Sequence, residues 1–195
     1  CAQDAPTHAP VRALLADAGY ASGLSVDFVT IADEEAEKIA ASMQGDLAEV
    51  GVDMRISLVT IAAYVSMSGN RGGPVFAYAG WAGDSPDPTS FLDAKFHSRA
   101  ITEHAATNDS FYANPELDAL LDAAKADADP ASRAARYRRA ERILYDDAPW
   151  LWNYHQVMIE VTQPYVKNYE PHPVWIRDFV GTWLDLGPDG ERVPR

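Results

Sequence analysis

A single cysteine, Cys1, stands in the 195 residues, so no internal disulfide can form and no thiolate metal cluster can be built. No apolar run approaches the ~20 residues a membrane-spanning helix requires. Basic residues are scarce: 16 Lys and Arg face 29 Asp and Glu, for a formal net charge of -13. That imbalance excludes nucleic acid as a partner, because such affinity comes largely from cations neutralising phosphates. It argues equally against an anionic membrane surface. Nucleophile elbows, P-loops and dinucleotide-binding glycine fingerprints are missing. The five histidines, His8, His97, His104, His155 and His172, include no pair at H-x-x-x-H spacing. His97 and His104 both lie near one long loop, where the ordinary expectation is two exposed histidines rather than a shared metal. No metal and no cofactor is expected.

What is present is the balance of a folded chain, with 47% hydrophobic and 23% charged residues. A helix is expected over 9–19, with Val11, Leu14, Leu15 and Ala18 on one face. A strand follows over 24–31, alternating through Leu24, Val26, Phe28 and Thr30. Asp33 is placed to cap a helix over 34–49, whose buried stripe reads Ile39, Met43, Leu47 and Val50. Strand 52–60, a helical turn or two over 61–68 and a short strand over 75–79 complete an alternating first part. Such alternation predicts an α/β fold with parallel strands in one sheet.

The second part changes character. Residues 81–88 (WAGDSPDP) are rich in turn formers; 89–97 reads as helical and 98–113 as a long loop. Two helices are strongly marked, one by Asn114-Pro115 and one by Asp129-Pro130. Leu117, Leu120, Leu121 and Ala124 face inward on the first; Ala134, Tyr137, Ala140 and Leu144 do so on the second. Arg133, Arg136, Arg138, Arg139 and Arg142 read as solvated or acid-paired rather than as a phosphate site. Residues 150–162 read as a long strand, and another strand-like piece lies near Phe179–Leu184.

The segment with chemistry to offer is 78–92, YAGWAGDSPDPTSFL. Trp81 can supply a rigid apolar wall and Asp84 a fixed negative charge, while Gly83 permits close backbone approach. A tryptophan and a carboxylate three residues apart beyond a strand end suit a ligand bearing an amine. Turn formation and core packing by the same residues is the plainer alternative. Asp84 and Asp87 could also be read as the acid and base of a hydrolase, which would need the two carboxyls ~5–9 Å apart over an open cleft.

Gly80-Trp81, Asp84, Asp87-Pro88 and Phe91-Leu92 resemble the G-W-x-x-D…D-P…F-L segment of the large solute-binding proteins of the dipeptide, oligopeptide and nickel type. Further matches follow in order: Phe96-His97-Ser98, Asn108, Tyr112-Ala-Asn-Pro-Glu116, Leu117-Asp118-x-Leu120-Leu121, Asp129-Pro130, Arg133, Tyr137 and Ala148-Pro149-Trp150. Upstream, Leu14 to Tyr20 and Leu47 to Val52 resemble the opening of that family's second lobe.

The resemblance implies a periplasmic-binding-protein-like lobe, α/β, with a mixed central sheet flanked by helices. Residues 1–10 would be an N-terminal extension, 11–162 the ligand-binding second lobe, and 163–195 a C-terminal tail that in the family returns to the first lobe. That N-terminal lobe is missing here. The implied function is solute capture outside the cytoplasm for an ABC importer, whose membrane permease is the partner. Short peptides are the first choice of ligand; family members for sugars, opines, metal chelates or haem share the framework. Trp81 would flank the ligand backbone and Asp84 would bind its α-amino group, with Gly83 between them. Asp84-Ser85-Pro86 departs from the family's common D-Y-P.

Cys1 fits either a lipidated first residue or an arbitrary start of a fragment, and the missing lobe favours the fragment. Trp150, Trp152, Trp175 and Trp183 are candidates for an exposed apolar cleft face that could drive dimerisation. The rival readings are a stand-alone sensor or interaction module and the carboxylate hydrolase.

Overall fold

Alternation over Leu24–Ile31 (β1) and Val52–Val59 (β2) produces two parallel strands paired along their whole length, from Leu24 opposite Val52 to Ile31 opposite Val59. These belong to a computed structural model that describes residues 8–78, 80–155, 157, 159–172, 174 and 179–187. The chain forms two compact units, the first from 1–80 with 98–111 and the second from 81–97 with 112–195.

In the first unit, α1 (His8–Asp17) precedes β1, and α2 (Glu34–Glu49) carries the chain from β1 to β2. Asp33 starts α2 as expected: its Oδ1 accepts from the Glu35 and Ala36 amides at 3.0 and 3.2 Å. Glu34, Glu35 and Glu37 then lie in the first turn, where the helix dipole favours negative charge. Gly51, at φ +89°, makes the turn into β2 that a side chain would strain. After α3 (Ile61–Met67), β3 (Phe76–Ala77) pairs in parallel with Phe28 and Val29, giving the strand order β2-β1-β3.

Phe28, Ala40 and Met54 form the unit's core, and the Phe28 and Phe76 rings meet edge to face at 4.7 Å. The buried face of α2 is centred on Ala36 and Ala40, not on the expected Ile39-to-Val50 stripe. Met43 and Leu47 only flank the core. Alanines sit where the helix comes closest to the sheet, and the larger side chains reach around them.

The face expected to be buried on α1 is not buried: Val11 is 43% and Leu14 68% exposed. That helix is tied to its unit by polar contacts instead. Arg12 Nη2 donates to the Glu49 carbonyl at 2.5 Å, and His8 Nδ1 lies 3.1 Å from the Glu49 carboxylate.

Residues 98–111, a 3₁₀ turn (Ser98–Ala100) and loop, are fastened to the same unit through Gly69. The Gly69 carbonyl accepts from the Ala106 amide at 2.9 Å, and a Cβ on Gly69 would stand 2.3 Å from the Ala106 oxygen.

The second unit is built on α4 (Thr89–Phe96), α5 (Pro115–Ala126) and α6 (Pro130–Asp147). Asn114 Oδ1 caps α5 by accepting from Glu116 and Leu117, and Asp129 caps α6 by accepting from Ser132 at 2.8 Å. Leu92 and Phe96 of α4 pack against Leu117, Leu121, Ala124, Tyr137, Ala140 and Leu144, with Trp150 at the edge. Among the α6 arginines, Arg133, Arg136, Arg139 and Arg142 pair with Asp87, Asp127, Glu116 and Asp146.

The long strand expected over 150–162 does not form among the described residues. Leu151, Val157, Ile159 and Val161 are 71 to 90% exposed. The β-branched alternation is there, but a strand needs a ladder partner, and β propensity alone does not supply one. Over Phe179–Leu184 only β5 (Trp183–Leu184) is extended, paired antiparallel with β4 (Val166–Lys167); Phe179 to Thr182 forms a turn. The Trp150 and Trp152 rings meet at a tilt with centroids 5.8 Å apart, Trp183 is half exposed, and Trp175, like Cys1, lies outside the described residues.

Replacing fully buried Leu121 by Ala should cost about 2–5 kcal/mol of stability. Leu14→Ala on exposed α1 should cost under about 0.5 kcal/mol. Chemical denaturation of the two variants checks both values, and a large loss at Leu14 would mean that α1 is packed.

Candidate functional site

The residues of 81–88 owe their position to α4 and α6. Pro88 offers no side chain to cap α4, so Asp87 does it: Oδ1 accepts from the Thr89 amide at 2.9 Å and from its hydroxyl at 2.6 Å. Arg133 Nη2 on α6 then donates to both Asp87 oxygens at 2.8 Å. Arg133 is itself held, donating through Nε to the Ala124 carbonyl at 3.1 Å and lying over the Tyr137 ring. Arg133 and the Thr89 donors hold the Asp87 carboxyl far below the usual carboxylate range. Asp87 is therefore committed to structure and ionised throughout the neutral range. It does not fit the protonated partner that an acid–base pair with Asp84 would need.

Trp81 is half-buried. Its Nε1 donates to the Ser90 carbonyl at 2.9 Å, which fixes one edge of the ring against α4. Lys95, only 4% exposed, places its Nζ 5.0 Å from the centre of the Trp81 ring. Asp84 is exposed at the tip of the same loop. Gly83 lies between them in a tight spot: a Cβ there would be 2.5 Å from Ser90 Oγ, which donates to the Ser85 and Asp87 carbonyls. A side chain there would displace Ser90 Oγ from its place against the loop. Trp81, Gly83 and Asp84 thus occupy one loop with a pinned indole and a solvent-facing carboxylate.

Lys95 was missed in the sequence, although its place on the inner face of 89–97, three and four residues after Leu92 and Phe91, was a signal. His97 departs from the expectation of an exposed loop histidine. It is 5% exposed, with Nδ1 3.3 Å from Asp118 and Nε2 3.4 Å from Asp122 on α5. His104 is exposed and belongs to the other unit. Among the described residues no group of three or more His, Cys, Asp or Glu side chains could hold a metal ion. Nor is any described helix long and apolar enough to cross a membrane. A separate trough of about 460 Å³ lies in the tail, between Glu160, Val161, Val166, Tyr169 and Phe179.

Comparison with known proteins bears on the same residues. The family described as bacterial extracellular solute-binding proteins, family 5 middle, matches residues 4–103. A heme-binding protein A of Haemophilus influenzae is 30% identical over 179 residues, covering 89% of this chain and 32% of that protein. A dipeptide-binding protein of Escherichia coli is 29% identical over 168 residues, covering 84% and 31%. Among solved structures, the periplasmic binding protein DppA of Helicobacter pylori, in complex with the peptide STSA, superposes with a TM-score of 0.74 at 28% identity. That match covers 89% of this chain and 34% of the other. The chain spans about a third of the length of these relatives.

The Asp87 pairing carries a pH signature. A carboxyl whose value is lowered by folding adds stability that is complete above its unfolded value, near 4, and is lost as pH falls toward the lower folded value. Asp87→Asn should therefore be less stable at pH 7 by about 1–3 kcal/mol. It should also lose less stability than the parent between pH 4 and pH 2. Thermal unfolding across that range checks it; parallel curves for the two proteins would refute the assignment.

Proposed function

Because the chain belongs to the family 5 bacterial extracellular solute-binding proteins, we propose that it is one lobe of a two-lobed clamp that captures short peptides outside the cytoplasm for an ABC importer. Residues 11–162 form the ligand-binding lobe, and 163–195 run on toward the other lobe. The permease of the importer receives the closed, loaded clamp. The chain catalyses no reaction on its ligand.

The observation that carries the peptide reading is the loop geometry: an indole pinned on α4 and, three residues on, a carboxylate left in solvent. Asp84 takes the protonated α-amino group, and Trp81 lies along the uncharged backbone that follows it. Closure by a hinge motion removes water from both, and the charge-assisted bond to Asp84 strengthens as it does so. The names of two similar proteins, a dipeptide-binding protein and a binding protein holding the peptide STSA, support this ligand class.

One lobe supplies one wall. The isolated 195-residue chain should bind peptides no more tightly than about millimolar, since half the contacts are absent. In a two-lobed protein carrying this chain, Asp84→Ala should weaken binding of a free-amine peptide by at least about 30-fold. Affinity for the N-acetylated peptide should be unchanged. Calorimetry reads both, and an unaltered affinity for the free amine in Asp84→Ala would remove Asp84 from the site.

A further inference from the structure

Lys95 is the one lysine among the buried charged residues described, and it stands between two indoles. Its Nζ is 5.0 Å from the centre of the Trp81 ring and 5.3 Å from that of Trp150, both within the range of a cation–π contact. Trp150 is partly buried and packs against Phe91 and Phe96 at the edge of the core of the same unit, so this second ring holds the ammonium from the side of that core. Trp81, on the loop, is partly exposed, as Trp150 is. With its Nε1 fixed on Ser90 and one face near the Lys95 ammonium, the indole has little freedom left.

We infer that Lys95 is a positioning and specificity-determining residue of this loop: it fixes Trp81 and makes the exposed indole a seat for an uncharged group, turning cations away to Asp84. This rests on the reading of Trp81 as a ligand wall. The physical reason is electrostatic. An indole attracts a cation through the negative potential of its face, and here a buried ammonium already draws on that potential. A second cation on the exposed part of the ring would meet a like charge across the thickness of one ring, with little water to screen it. An amide plane or an apolar group suffers no such opposition. Trp81 and Asp84 therefore divide the ligand, the carboxylate taking the amine and the indole its uncharged neighbour.

The test uses the isotope-labelled chain and the indole N–H signals of Trp81 and Trp150, assigned with Trp81→Phe and Trp150→Phe. In the parent, the Lys95 methylene protons next to Nζ should be shifted upfield by the two rings, a readout that needs no variant. Lys95→Met should displace both indole signals, and Lys95→Arg, which retains the cation, should restore them toward the parent positions. The probes are N-methylacetamide and tetramethylammonium chloride, with sodium chloride as the salt control. The Trp81 signal of the parent should respond to the amide and not to tetramethylammonium. In Lys95→Met it should respond to tetramethylammonium at about three- to tenfold lower concentration than in the parent.

If Lys95→Met does not fold, Lys95→Gln takes its place, and the parent's preference between the two probes still decides. Equal responses to tetramethylammonium in parent and variant, or a parent that takes it as readily as the amide, would overturn the inference while leaving Trp81 as a ligand wall. A Trp81 signal that moves with neither probe in any of these proteins would overturn the ligand-wall reading itself, and the inference with it.

Discussion

The Asp87–Arg133 pair is the constraint on which the candidate site depends. Three demands meet at Asp87: the first turn of α4 needs a cap, the loop 81–88 needs an end point, and the Arg133 guanidinium on α6 needs an acceptor. A two-oxygen acceptor facing a guanidinium is the geometry in which an ion pair is worth more than the usual surface pair. Arg133 is also spent on the Ala124 carbonyl at the end of α5 and on the Tyr137 ring. One side chain therefore joins α4, α5 and α6, and the loop bearing Trp81 and Asp84 inherits its position from that junction.

This division of labour explains why two aspartates three residues apart behave so differently. Asp87 is consumed by donors and is a structural anion. Asp84 lies exposed on the same loop. The spacing that suggested a catalytic pair in the sequence instead separates a fixed foot from a free hand. The same logic applies at Gly83, where the absence of a side chain admits Ser90 Oγ and so seals the loop against α4. The free backbone approach that glycine offers is used by the protein itself.

Much of the fold was legible because its signals are local. Asp33, Asn114-Pro115 and Asp129-Pro130 mark helix starts through hydrogen bonds made within three residues, and all three caps are in place. The β1–β2 pair follows from alternation on both sides of a capped helix. What was not legible depends on distant partners. The apolar stripe of α1 and the β-branched run of 150–162 both carry the right pattern, yet Val11 and Leu14 are exposed and the run forms no strand among the described residues. Pattern records what a segment would do given a partner, and a partner distant in sequence leaves no local mark.

The same limit hid Lys95 and His97. A lysine and a histidine near the end of a short helix read as surface residues, because charge is ordinarily left in water. Here the burial is made tolerable by neighbours far along the chain: Trp150 beside Lys95, and Asp118 and Asp122 beside His97. Those contacts bury Lys95 on α4 and His97 just past its end, while Asp84 on the loop before it stays exposed. The chain's net charge of -13 says nothing of where a ligand would bind; the buried Lys95 and the exposed Asp84 are the local asymmetry. Under the function proposed above, the Lys95 ammonium at the Trp81 ring and the Asp84 carboxylate beyond it would give an amine-bearing ligand one orientation, with its amine at Asp84 and its uncharged part along the ring. Orientation of that kind requires no side-chain pocket, which is the condition a clamp must meet if it is to take peptides of differing sequence by their shared backbone.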